Sequence, residues 1–170
     1  DAGPPDETCF VSKRNPGSAD IALALEIAHA QIARKAVEEW VWGWEAAVMM
    51  IAFAELYRVT GDPEVQAYYA TWLDMQIEKG YSISTSDTCV PAAVAVARYR
   101  ETGEQKYADV VADALDYLYN VAFRTKEGGI SHLGTVQIKT LWVDSLFMFG
   151  SVFNGWAEAA GESAELDALG

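Results

Sequence analysis

Hydrophobic residues over 19–39 recur at steps of three and four, which is the spacing of one face of a helix. A tryptophan-rich segment at 40–44 separates this predicted helix from residues 45–59, which are apolar on nearly every side. A helix without a polar face is surrounded by other helices. The pattern therefore predicts an amphipathic helix followed by an inner helix.

The rest of the chain continues the alternation between apolar inner helices and amphipathic outer helices. Pro63 suits the first turn of a helix and Gly80 suits its end, so a third helix is predicted over 63–79. The later predicted elements are a polar joint at 84–88, an inner helix at 91–99, an outer helix at 106–123, a loop at 128–134 and an inner helix at 141–160. No segment has a strong strand pattern.

An internal repeat marks the turns that follow the inner helices. The sequences Tyr-Arg-Val-Thr-Gly-Asp at 57–62 and Tyr-Arg-Glu-Thr-Gly-Glu at 99–104 align, and Ala-Glu-Ala-Ala-Gly-Glu at 157–162 is a weaker third copy. Glycine suits the left-handed end of a helix, and the following acid suits the start of the next. The sequence predicts an all-α domain of three α/α hairpins over 18–170, preceded by an arm at 1–17. Such hairpins either stack into an open solenoid or close into a toroid.

Composition restricts the partners. The 170 residues are 51% hydrophobic, enough for one substantial core, and 25 acidic against 12 basic residues give a net charge of −13. This charge repels nucleic acid and anionic lipid, and no apolar run reaches the roughly 18 residues of a membrane span, so neither partner is predicted. Cys9 and Cys89 are too few for a disulfide scaffold or a thiolate zinc site. Whether they pair stays open, and so does the compartment, with a secreted or periplasmic location slightly favoured.

Three candidate residues share one position relative to the repeated turns. Trp44, Asp87 and Asp144 lie 17, 16 and 17 residues before the turn glycines, which predicts an aromatic ring and two carboxylates around one rim. Paired carboxylates can divide acid and base roles, and aromatic faces stack on sugar rings. The competing interpretation is that the aspartates are helix N-caps, and for Asp87 the residues alone favour it. Asp144 lies among large apolar residues, so we expect its carboxylate to be partly desolvated.

Other residues leave two interpretations open. His132 follows a Gly-Gly pair in a predicted loop, where it either donates to a substrate hydroxyl or is a solvated loop histidine. Trp42 has the helical spacing of a packing residue. The chain carries no Gly-rich phosphate loop, no His-Glu-x-x-His zinc signature and no Gly-x-Ser-x-Gly elbow, so those chemistries have no support.

Several segments carry a resemblance to a known family. They are Trp42-Gly-Trp44-Glu45 with Leu56-Tyr57 and Thr60-Gly61-Asp62, then Asp87, then Tyr99–Tyr107, then Arg124-Thr125 through Gly128-Gly129 to His132, and finally Trp142-Val-Asp144-Ser-Leu-Phe-Met148. In this order they resemble the N-terminal half of the unsaturated glycuronyl hydrolases, including the unsaturated rhamnogalacturonyl hydrolases, among the six-hairpin glycosidases. Ala47 and Leu141 depart from the Gly and Gln usual in that family.

The resemblance implies half of an (α/α)6 barrel with an active site at one rim. It makes Asp144 the general acid and base and Asp87 its assisting carboxylate, with no cofactor and no metal. The substrate-binding residues it implies are Trp44, Trp42, Trp142 and His132. The implied reaction is hydration of the C4–C5 double bond of an unsaturated uronyl residue at the end of an oligosaccharide substrate.

Length leaves a second function open. The family's barrel has twelve helices and this chain supplies six and a fragment, so a second copy or a C-terminal half is expected to complete the barrel. The alternative function is a non-catalytic helical-hairpin scaffold, or a half-barrel that binds a glycan or a protein on its inner face. Carboxylates engaged only as caps favour the scaffold, whereas carboxylates and aromatic rings gathered at one open rim favour the enzyme.

Overall fold

The computed structural model describes residues 17–134 and 140–160, and it is all-α over those ranges. Its α-helices are α1 (Ser18–Arg34), α2 (Trp44–Thr60), α3 (Pro63–Lys79), α4 (Ser86–Cys89), α5 (Ala92–Thr102), α6 (Gln105–Asp116) and α7 (Asp144–Ala160). A 3-10 turn spans Val37–Glu39, and a π-helical segment over Tyr117–Val121 continues α6. In these ranges the only strand-like pairing is an isolated bridge between Arg124 and Ile130. The predicted all-α class is therefore confirmed.

Two tight turns join inner to outer helices as the repeat predicts. Gly61 and Gly103, both with φ of 69°, end α2 and α5 in the left-handed conformation. Asp62 then caps α3 by accepting hydrogen bonds from the backbone N–H groups of Glu64 and Val65. The third turn glycine, Gly161, lies outside the described residues, as do residues 1–16 of the arm predicted at 1–17. The described part of the domain thus holds two complete hairpins and the inner helix of a third.

The core lies between the inner helices and their outer partners. Its largest fully buried side chains include Trp72 and Tyr69 of α3, which pack behind α2. Phe53 of α2 and Val94 of α5 also lie in this core and are 4% and 0% exposed. Burying side chains of this size stabilises a fold by about 1.5–3 kcal/mol each. Among the described residues, no helix is both long enough and apolar enough to cross a bilayer.

Tertiary contacts shorten two predicted helices. The first was predicted to reach residue 39, but Lys35 is extended, with its carbonyl accepting from Tyr68 Oη at 2.7 Å and its Nζ 3.3 Å from the centre of the Trp40 ring. The last was predicted from residue 141, but α7 begins at Asp144. Trp142 is left outside the helix. The polar joint at 84–88 contains the one-turn helix α4.

Candidate active site

The starts of three helical segments meet in one small buried cluster. Ala47 of α2, Val90 at the end of α4 and Met148 of α7 pack together and are 0%, 0% and 5% exposed. The three candidates chosen by their spacing from the turn glycines each lie three or four positions before a member of this cluster. One tryptophan and two aspartates are therefore placed at the same end of the inner helices.

Asp87 is the second residue of α4 and does not cap it. The N-cap is Thr85, whose Oγ1 accepts from the backbone N–H of Thr88 at 3.3 Å. The capping interpretation of Asp87 is therefore wrong for this helix. The Asp87 side chain is 30% exposed, and its Oδ1 accepts a long hydrogen bond of 3.4 Å from Ser86 Oγ.

Asp144 opens α7 and has more access to solvent than expected. Its side chain is 51% exposed, because the apolar neighbours that were expected to bury it, Trp142, Leu146 and Phe147, are themselves about half exposed or more. The expected desolvation is therefore absent from the described structure. No backbone N–H group of the described residues donates to the Asp144 carboxylate, so its contacts there are not those of a cap.

His132 lies between the two carboxylates. Its Nε2 is 3.8 Å from Asp87 Oδ1, and its Nδ1 is 3.9 Å from Asp144 Oδ1. The residue is 4% exposed, which rules out the solvated loop histidine. Its Nδ1 also lies 2.7 Å from Ser86 Oγ and 2.9 Å from Ser145 Oγ. The loop at 128–134 thus brings a buried imidazole to the rim.

The three tryptophans assigned to substrate binding have different surroundings. Trp142 is 52% exposed and stacks on His132, with ring centroids 4.3 Å apart and planes 4° apart. Trp44 is 45% exposed and lines an open cavity of about 260 Å³. Trp42 stacks with Tyr81 and Trp72 and donates from Nε1 to the Thr88 carbonyl, so its place is that of a packing residue.

Sequence reasoning missed two serines of this site. Ser86 and Ser145 are 0% and 4% exposed, and both hydroxyls contact the His132 ring. Each is the chain neighbour of a candidate aspartate. The sequence pattern that could have indicated them is a small polar residue next to each candidate aspartate. This pattern is weak, because serines are common in loops and at helix starts.

A second cavity adjoins the site along α7. Its volume is about 420 Å³, and its wall is mainly apolar, with Trp142, Ser145 and Phe149 among the lining residues. Among the described residues of the wall, the one cationic side chain is that of Arg124, which donates to the carbonyls of Gly128 and Leu118. This cavity has room for a sugar-sized group beside the exposed Trp142 ring.

The one cysteine among the described residues lies close to the site. Cys89 ends α4 and is fully buried, and burial raises the pKa of its thiol to about 12. Cys9 lies outside the described residues, so the pairing of the two cysteines stays untested. No group of three or more His, Cys, Asp or Glu side chains in 17–134 and 140–160 is arranged to hold a metal ion.

Comparison with known proteins identifies the family. The sequence profile of Glycosyl Hydrolase Family 88 matches residues 24–169, so the chain belongs to this family of glycoside hydrolases, as the sequence motifs predict. A curated relative is the unsaturated rhamnogalacturonyl hydrolase YesR of Bacillus subtilis (strain 168). It is 26% identical over 116 residues, which cover 66% of this chain and 34% of the relative.

Solved structures share the fold. Possible members of family GH105 from Klebsiella pneumoniae and Salmonella enterica serovar Paratyphi A superpose with TM-scores of 0.72 and 0.74, each at 14% identity. Each match covers 96% of this chain but 48% and 49% of the solved chains. This confirms the predicted α/α-hairpin fold, and the chain spans about half the length of these structures and a third of the curated relative.

Proposed function

We propose that the complete natural protein removes an unsaturated uronyl residue from the end of an oligosaccharide by hydrating its C4–C5 double bond. The observation that carries the proposal is the position of Asp87 and Asp144, which approach the same buried imidazole within 4 Å at a rim that also carries exposed tryptophans. The family and the name of the curated relative support the same class of substrate.

Asp144 is the proposed general acid and base because its carboxyl is the more accessible of the two. In its protonated form it gives a proton to C4 of the enol ether while a water molecule adds at C5. The carboxylate then recovers a proton from that water, so the step adds one water in total. The resulting hemiketal opens and releases the shortened oligosaccharide.

The other residues have supporting roles in this proposal. Asp87 is more enclosed than Asp144 and is tied to Ser86, so it assists as a fixed negative charge beside the reacting atoms. Trp44 and Trp142 present exposed ring faces for stacking on sugar rings. Trp42 packs behind this rim, since its ring stacks with Trp72 and Tyr81 and its Nε1 donates to the Thr88 carbonyl.

The test compares wild-type protein with Asp144→Asn, in the complete natural protein. Unsaturated uronyl oligosaccharides lose their ultraviolet absorbance when the double bond is hydrated. We expect the substitution to lower turnover by at least the roughly 10²–10⁴-fold that general acid–base catalysis contributes, while the oligosaccharide still binds. Asp109→Asn, on the exposed face of α6, is the matched control and should leave turnover unchanged.

Two results would contradict the enzyme and favour the alternative of a glycan-binding or protein-binding scaffold. One is a wild-type protein that leaves a broad panel of such oligosaccharides untouched. The other is an Asp144→Asn variant that turns them over as fast as the Asp109→Asn control. The exposed apolar residues beside Asp144, Val143 and Leu146, would then be the first surface to examine for a bound partner.

A further inference from the structure

His132 makes many contacts within the candidate site, although no step of the proposed reaction uses its imidazole. Its backbone is fixed on both sides, since His132 N–H donates to the Thr140 carbonyl at 2.9 Å and Ser86 N–H donates to the His132 carbonyl at 3.1 Å. Its ring lies flat against Trp142. With 4% of the residue exposed, the imidazole has little surface left for a substrate.

Hydrogen-bond accounting indicates which ring nitrogen carries a proton. Ser86 Oγ has only one proton to donate, and two acceptors already compete for it, the His132 carbonyl at 2.9 Å and Asp87 Oδ1 at 3.4 Å. The 2.7 Å contact between Ser86 Oγ and Nδ1 is therefore best satisfied when Nδ1–H is the donor. Ser145 Oγ, 2.9 Å from the same nitrogen, accepts from the same N–H. Both serine hydroxyls thus fix the ring orientation, and Nε2 faces Asp87.

We propose that His132 is a positioning residue that sets the relative placement of Asp87, Asp144 and the Trp142 ring, and that it does not bind the substrate directly. The inference rests on the proposed function. The segments that carry the two aspartates come from different helices, and the imidazole with its two serines is the polar connection between them. A shift of about 1 Å in a catalytic group can cost about 100-fold in rate, so this connection matters for turnover.

The first experiment separates kcat from KM in the complete protein. His132→Asn keeps a polar atom near the place of Nδ1 but removes Nε2 and the ring stacked on Trp142. We expect kcat to fall about 100-fold with a much smaller rise in KM, because the carboxylates lose their placement and the Trp142 ring, one of several substrate contacts, loses the imidazole on which it stacks. A rise in KM with kcat unchanged would assign His132 to substrate binding and overturn the inference.

Ser145→Ala gives a second variant that leaves the ring in place. It removes one of the two oxygens that accept from Nδ1, so we expect kcat to fall about 10-fold. If Ser145 acts through the imidazole, the same substitution should have little further effect in the His132→Asn protein. Independent, additive losses from the two substitutions would overturn the inference. If His132→Asn does not fold, the effect of Ser145→Ala on kcat tests the inference by itself, and an unchanged kcat would overturn it.

A measurement without substrate distinguishes failure of this inference from failure of the proposed function. The ring ¹⁵N signals of His132, identified by their loss in His132→Asn, should shift in both Asp87→Asn and Asp144→Asn, while those of His29 should not, since its partner is Asp62. Unchanged His132 signals would overturn the inference even in an active enzyme. An inactive wild-type protein with shifted signals would overturn the proposed function and leave the contact of His132 with both carboxylates standing.

Discussion

At the scale of single residues, Asp62 shows what a purely structural carboxylate looks like in this fold. Its Oδ1 accepts from the backbone N–H groups of Glu64 and Val65, both at 3.0 Å, and its Oδ2 lies 3.1 Å from His29 Nε2. The hydrogen bond from Val65 N–H lowers the pKa of Asp62, and His29 and Glu64 N–H lower it further. Partial desolvation acts in the opposite direction but does not outweigh them. Asp144 has no such backbone donors in the described structure, so its carboxylate is not held as that of Asp62 is.

Asp62 therefore makes stability depend on pH in a predictable direction. Because its pKa is lower in the folded chain than its usual 3.8, its contribution is fully present above that value and is lost as the pH falls through the folded pKa. We expect Asp62→Ala to reduce the free energy of unfolding by about 1 kcal/mol at pH 7, measured by urea denaturation.

Asp62→Asn is the control for this prediction. Asparagine caps helices about as well as aspartate, so most of the stability at pH 7 should remain. The charge is gone, however, and the acid-dependent loss below about pH 3.8 should be smaller than in the wild-type protein. An Asn variant as unstable as the Ala variant at pH 7 would show that charge, and not the cap, dominates here.

At the scale of elements, the loop that carries His132 packs closely against the backbone at Ser84. Gly134 has φ of 59°, and a Cβ atom at this position would lie 2.2 Å from the Ser84 carbonyl oxygen. The same oxygen accepts from Tyr117 Oη at 3.0 Å. Glycine is required at this position for both its conformation and the space, and the contact holds the loop against the segment that leads into α4.

We expect Gly134→Ala to lower both stability and turnover. The left-handed conformation alone costs a non-glycine residue about 1–3 kcal/mol, and the clash with Ser84 adds to this cost or pushes the loop away. Gly103→Ala is the matched control, because its φ of 69° carries the same conformational cost while no atom lies within 4 Å of the added Cβ. Urea denaturation and kcat should both be more affected at Gly134, and equal effects would mean that the loop accommodates the methyl group.

Local signals predicted some elements, and non-local contacts decided the others. The bounds of α3 follow from Pro63 and Gly80, which act on their own backbone. The start of α7 and the burial of His132 depend on the stacking of Trp142 on the imidazole and on main-chain hydrogen bonds between the joint before α4 and the loop. No periodicity contains those pairings, so His132 could be named as a candidate site residue, but its burial between the two aspartates could not be predicted.

At the scale of the whole molecule, both edges of the described hairpin array carry exposed apolar side chains. On α7 and its lead-in, Val143 and Leu146 are 85% and 75% exposed. At the other edge, Ile27 and Val59 line a groove of about 460 Å³ between α1 and α2 and are 61% and 51% exposed. Since apolar faces of this kind are rarely left to water, we propose that a second copy or a further part of the protein covers them, in line with solved structures about twice as long.

Leu146→Gln tests this proposal in the complete protein. If the α7 edge is covered, the substitution replaces a buried leucine with a polar group and should cost about 2–3 kcal/mol in free energy of unfolding. Val121→Gln, at an exposed position that ends the outer segment after α6, should change it by no more than about 0.5 kcal/mol. A melting temperature that rises with protein concentration would assign the cover to a second copy, because binding between copies stabilises by mass action. If Leu146→Gln is as mild as Val121→Gln, the α7 edge is open to solvent in the complete protein and the proposed closure is wrong.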